Sequence, residues 1–106
     1  MLMLPTTTKI FFSAEPCDMR KQLDGLAALV QQGMQRESRN GDMYIFCNRR
    51  RDMVKVLFYD QQGLCLLVKR MDKGTFKVNV TDGIMQMSSN EFSRFMMGVS
   101  FARAAA

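Results

Sequence analysis

At 106 residues and 47% apolar content, the chain has the length of one domain and can bury a core without disulfides or metal. The formal net charge of +5 points to a polyanionic partner. The absence of histidine excludes a Ser-His-Asp or Cys-His pair and a zinc site of the usual spacing.

No apolar run approaches the roughly 18 residues needed to span a bilayer, and the opening MLMLPTTTK is broken too early by Pro5 to read as a signal peptide. Cys17, Cys47 and Cys65 are far apart, form no C-x-x-C and lie beside apolar residues. They read as small buried hydrophobes of a protein in the reducing cytoplasm.

In chain order, residues 1–8 read as a frayed lead-in and Lys9–Ser13 as a short strand. Pro16 breaks the chain, and Asp18 is a good N-cap for a helix starting at Met19. Met19 to about Gln35 is expected to be one long helix. Met19, Leu23, Leu26, Ala27, Val30 and Met34 recur at spacings of three and four and form one apolar stripe. Gly25 in mid-helix costs about 1 kcal/mol relative to alanine and suggests close approach of another element. Residues 36–42 form a polar loop ending in Asn40-Gly41, a turn signal.

Met43–Cys47 and Met53–Asp60 read as strands by aromatic and β-branched content, joined by the charged connection Asn48–Asp52. Gln61-Gln62-Gly63 reads as a hairpin loop, with Gly63 free to take positive φ. Leu64–Arg70 returns as a nearly continuous apolar strand, which implies burial on both faces or an edge covered by a helix. Thr75–Val80 alternates, with Phe76, Val78 and Val80 inward, and is expected to be a further strand. Thr81-Asp82-Gly83 turns the chain and Ile84–Met87 is a last short strand. Ser88-Ser89-Asn90-Glu91 matches a capping box opening a short helix, with Gly98 as its stop and the rest loose.

The expected fold class is therefore α+β: an antiparallel β-meander of four to six strands, with one long helix packed on one face and a short C-terminal helix. It spans 1–106 as a single domain, with 1–8 and 100–106 loose.

The charge is unevenly placed. Between Asn48 and Lys77 lie eight of the fifteen basic residues and three acids, so this segment carries the whole net charge. Arg49, Arg50 and Arg51 fall at a turn, where long side chains can reach a phosphate backbone. In a hairpin closed at 60–63, residues 53–55 lie across from 68–70, which would bring Lys55 beside Lys69 and Arg70, with Lys73 close by. These seven residues are the candidate nucleic-acid-binding set, with Tyr44 and Tyr59 available for stacking. Two other readings fit the same residues: a solvated sheet end whose charges discourage edge pairing, or arginine anchors of a protein interface. Asp52, Asp60 and Asp72 sit at strand ends and could hold magnesium for a nuclease, but aspartate there routinely serves the backbone. No catalytic residue, metal or cofactor is assigned.

Two blocks of the sequence resemble a known family. Pro16-Cys17-Asp18-Met19-Arg20-Lys21 followed by Asp24-Gly25-Leu26-Ala27-Ala28-Leu29-Val30 resembles the P-x-D-M-R-K-x-x-D-G-L-x-x-L-V block of the small accessory protein of insertion-sequence-66-type transposons, often called TnpB. Asn48-Arg49-Arg50-Arg51-Asp52, with Lys55, Asp60, Gly63, Lys69-Arg70 and Gly74-x-Phe76, resembles its second block. The chain departs from the family in having no tryptophan: Tyr59 and Lys77-Val78 stand where the family usually carries one. The resemblance implies a non-enzymatic accessory protein of DNA transposition, encoded beside a separate transposase. Its partners would be DNA, that transposase, or both, the alternative to DNA contact being an adaptor that docks on the transposase alone.

Overall fold

A computed structural model describes residues 8–80 and 82–100 of the chain. The lead-in and tail expected to be loose therefore lie outside the described residues, except at Thr8 and Ser100, as does Thr81 of the turn at 81–83.

Five strands and two helices follow in the order β1 (Ile10–Ser13), α1 (Leu23–Gly33), β2 (Met43–Cys47), β3 (Met53–Asp60), β4 (Gly63–Arg70), β5 (Ile84–Met87) and α2 (Ser89–Met96). The strands form one sheet in the order β4-β3-β2-β1-β5. β2, β3 and β4 make the antiparallel meander expected from their short connections. β1 instead pairs parallel with β2, Phe11 opposite Tyr44, and β5 closes antiparallel on the other side of β1. The sheet is thus mixed rather than purely antiparallel. The connection from β1 to β2 carries α1 and is long enough for a crossover, which a hairpin-length loop is not.

Alternation along each strand builds two cores, one on either face of the sheet. Ile10, Phe12, Ile45, Val54 and Val56 pack on one side with Phe95 of α2 and with Phe76. Phe11, Tyr44, Phe46 and Leu57 pack on the other with Leu26 and Val30 of α1. Phe95 is fully buried, edge-on to Phe12 at 5.2 Å and stacked on Phe76 at 5.0 Å. Each such side chain contributes roughly 1.5–3 kcal/mol through area removed from water.

α1 is 11 residues long and begins at Leu23, so the long helix from Met19 does not form. Its N-cap is Gln22, without a side-chain hydrogen bond, in place of Asp18. Asp18 instead holds the turn ahead of the helix, accepting from the Arg20 backbone at 2.9 Å and pairing with its guanidinium at 2.7 Å. The carbonyls of Met19 and Lys21 are taken by the Lys55 ammonium at 2.9 and 2.8 Å. Gly25 is approached by no strand at close range: the nearest atoms to a Cβ there belong to the Lys21 side chain, at 3.4 Å.

Residues 75–80 keep the expected alternation, with Phe76 buried and Thr75, Lys77 and Asn79 exposed, but they join no ladder. The pattern records packing over α2 and not strand pairing. At the β3–β4 hairpin the positive φ falls on Gln61 (48°), while Gly63 belongs to β4 opposite Asp60. β4 is an edge strand. Its first half is half-buried, with Leu64 and Leu66 packed into the α1-side core, and its second half is exposed. α2 has the full capping box: Ser88 Oγ accepts from the Glu91 backbone at 3.1 Å and Glu91 accepts from the Ser88 backbone at 2.8 Å. It ends as expected at Gly98 (φ 77°), whose N–H donates to the Phe95 carbonyl while that of Val99 donates to Arg94.

Candidate nucleic-acid interface

The connection from β2 to β3 is built around Asn48. Its side-chain oxygen accepts from the backbone N–H of Asp52 at 3.0 Å and Met53 at 3.1 Å, and its amide donates to the Asp52 carboxylate at 2.6 Å. The Asn48 carbonyl accepts from the Arg51 N–H at 3.1 Å. This closed knot turns the three arginines in different directions. Arg49 and Arg50 stand exposed at the tip, the Arg50 side chain 86% exposed and 3.8 Å from Asp52. Arg51, at φ 63°, turns back and donates to the Ala14 carbonyl at 2.9 Å. It also lies beside the fully buried Cys47, whose thiol burial pushes upward and the guanidinium partly draws back.

Two further backbone bonds bring the chain after β4 to the same place. Met71 N–H donates to the Asp52 carbonyl at 2.8 Å and Phe76 N–H to the Arg51 carbonyl at 2.6 Å. Arg70, opposite Met53 in the ladder, and Lys73 and Lys77 beyond it therefore stand at the same end of the sheet as Arg49 and Arg50. Between the arginine knot and residues 75–80 lies an open groove of about 690 Å³. Arg50, Arg51 and Lys77 line it, with the polar side chains of Thr75 and Asn79 and no acidic residue.

The expected register holds, with Met53, Val54 and Lys55 opposite Arg70, Lys69 and Val68, but it does not gather all seven cations. Lys55 and Lys69 project from opposite faces. Lys69 points to the α2 side, where its ammonium donates to the Met96 carbonyl at 2.6 Å. A cation there also suits the negative end of that helix. Lys55 is 4% exposed and closed over by the segment leading into α1, so it is not at the surface. Tyr44 is fully buried and stacks on Phe11 at 5.8 Å, so it is not available for stacking on a base. Lys77 lies outside the candidate set although it closes the basic segment that opens at Asn48 and follows Gly74-x-Phe76 directly.

The three aspartates do not meet at one point. Asp60 stands at the hairpin end of β3, while Asp52 and Asp72 lie at the other end, where Asp52 is engaged by Asn48. Among the described residues no group of three or more His, Cys, Asp or Glu is placed to hold a metal ion. Also among them, no helix is long and apolar enough to cross a membrane.

The family model described as "IS66 Orf2 like protein" matches residues 8–106, and so takes in both cores, the arginine knot and α2. The chain belongs to this family. Similar curated relatives carry no functional name. One is "Uncharacterized protein y4jC" of Sinorhizobium fredii (strain NBRC 101917 / NGR234), 31% identical over 96 residues, covering 90% of this chain and 82% of the relative. Another is "Uncharacterized protein y4hO" of the same strain, 28% identical over 102 residues, covering 93% of this chain and 89% of the relative. No solved structure matches the chain. As an IS66 Orf2 like protein, the chain is one of the accessory proteins of IS66-type transposons.

Proposed function

We propose that this IS66 Orf2 like protein is a non-enzymatic, cytoplasmic accessory factor of transposition that contacts the DNA backbone with the basic end of its sheet, beside the separate transposase of the same element. Arg49, Arg50, Arg70 and Lys73 make the contact, joined by Lys77, and Lys69 lies at its margin. Lys55 and Arg51 serve the fold. The observation that carries this reading is that exposed cations of three chain segments stand at one end of the sheet, two of them, Arg50 and Lys77, lining a groove with no acid among its described lining residues. Guanidinium and ammonium groups held at a common edge suit phosphates, which position a protein on DNA without reading sequence.

The test is binding of the purified chain to labelled transposon-end and random duplexes over a salt series. Five phosphate contacts predict that log K falls against log salt with a slope of about −4.5, at roughly 0.9 per phosphate. Arg49→Ala/Arg50→Ala together lower affinity on every sequence and reduce the slope by about 2. No binding even at low salt overturns DNA contact, and moves the function to docking on the transposase.

A further inference from the structure

The two edges of the sheet differ. β5 has four residues and runs almost directly into α2. β4 has eight, contains no proline, and is exposed from Leu67 to Arg70. Leu67 is 45% and Val68 52% exposed, and as consecutive strand residues they lie on opposite faces. The hydrogen-bond phase identifies which backbone groups face outward. Met71 N–H donates to the Asp52 carbonyl in the β3–β4 register, so Gly63, Cys65, Leu67 and Lys69 turn their backbone groups toward β3. Leu64, Leu66, Val68 and Arg70 turn theirs away from the sheet. A long apolar edge of this kind is a pairing template unless it is blunted, and the only charges on this one, Lys69 and Arg70, sit at a single end.

We propose that β4 pairs antiparallel with β4 of a second copy of this chain about a two-fold axis at Leu67, making one sheet continuous across both copies. An axis normal to the sheet keeps each face continuous, which sets Leu67 opposite its own copy, Leu66 opposite Val68 and Leu64 opposite Arg70. The last two pairings use only residues whose N–H and C=O face outward, so they are hydrogen-bonded pairs. Leu67 with Leu67 is a non-hydrogen-bonded pair, with Cα atoms about 4.5 Å apart.

Charge and shape select a copy of the chain as the occupant. In this register each Lys69 lies opposite Cys65 of the second copy and about 14 Å along the strand from its twin, at roughly 3.4 Å per residue. That exceeds the screening length of about 8–10 Å. A parallel pairing would set Lys69 beside Lys69 and Arg70 beside Arg70. Both exposed apolar side chains meet apolar ones, the self-complementarity that an isologous interface requires. The inference does not depend on whether the basic end binds DNA.

Sedimentation equilibrium of the full chain over a concentration series tests it, with far-UV circular dichroism and urea melts reporting the fold. Wild type sediments as a dimer. Leu67→Lys puts two ammonium groups on the axis, and Val68→Pro removes an outward donor without touching the β3 ladder. Both sediment as monomers, and Leu67→Lys, changed at an exposed site, keeps the wild-type circular dichroism. In a Cys65→Ser background, Leu67→Cys oxidises to a covalent dimer, because the pair across the axis falls within the disulfide range of about 4.4–6.8 Å. Leu66→Cys does not. A wild type that is monomeric throughout, a dimer that persists in folded Leu67→Lys, or a covalent dimer formed equally at 66 and 67 overturns the proposal.

Discussion

The ammonium of Lys55 lies 2.9 Å from the carbonyl oxygen of Met19, joining mid-β3 to the turn before α1. With the Lys21 carbonyl at 2.8 Å, it occupies two acceptors that a longer α1 would have used within the helix. Lys55→Met keeps the stem and leaves both carbonyls without their donor. Relief of the buried charge offsets part of the loss. The expected cost is about 1–3 kcal/mol in urea unfolding, with faster amide exchange over residues 19–24 and unchanged salt dependence of DNA binding. A variant of wild-type stability that has lost DNA binding would refute the strut and return Lys55 to the interface.

The three arginines separate by consequence. Arg51→Ala loses a charge-assisted hydrogen bond to Ala14 and is expected to cost about 1–2 kcal/mol. Arg49→Ala and Arg50→Ala, at exposed tips, stay within about 0.5 kcal/mol of wild type. Denaturation midpoints of the three single variants check this. A triple alanine variant would confound unfolding with lost contact. Equal destabilisation by all three would show that the knot is not held as described.

Gly98 ends α2 at φ 77°, and a Cβ there would stand 2.5 Å from the Met71 methyl. Met71 is flexible and can yield, so the left-handed backbone carries most of the cost. Gly98→Ala is expected to lose about 1–2 kcal/mol, which calorimetry reads as a fall in Tm of roughly 4–8 °C per kcal/mol for a domain of this size. An unchanged Tm would sink the assignment.

Burial pushes the Cys47 thiol above its ordinary value of 9.0, with Arg51 opposing. For a group whose folded pKa is raised, the contribution to stability is present below the unfolded value and is lost as pH rises through the folded one. Urea midpoints should therefore fall on the alkaline side of that value, and fall less in Cys47→Ala. Parallel alkaline slopes in the two proteins would contradict the assignment. Alkylation of the native chain should reach the half-buried Cys17 and Cys65 before Cys47.

Local patterning carried much of the fold. β2 and β3 run where their aromatic and β-branched content puts them, β5 follows the turn ahead of Ile84, and the Ser88–Glu91 box opens α2. The departures share one origin, in partners distant along the chain. β1 pairs parallel with β2 because α1 is a crossover, and nothing local to Ile10–Ser13 states its neighbour. The stripe from Met19 is real, and Met19 packs into the α1-side core, but Lys55 claims the carbonyls there and delays the helix. Residues 75–80 alternate because Phe76 must reach Phe95.

The site followed the same rule. Clustering of charge was legible from composition along the chain, and the β3–β4 register was legible from the hairpin. The burial of Lys55 was not, because alternation with Val54 and Val56 assigns it to the face opposite theirs, which a lysine marks as solvated. Leu57, two residues on and fully buried, identifies that face as the one α1 covers.

The two bonds from Met71 to Asp52 and from Phe76 to Arg51 have a thermodynamic consequence. The main chain carrying Arg49, Arg50, Lys73 and Lys77 loses its freedom when the protein folds, not when it meets a polyanion. Association then costs the rotamer entropy of the side chains, about 0.5–1.5 kcal/mol each, and no loop-ordering term. The spacing of these cations is set in advance by main-chain geometry, so that in the proposed DNA contact they would act as a fixed gauge of phosphate spacing.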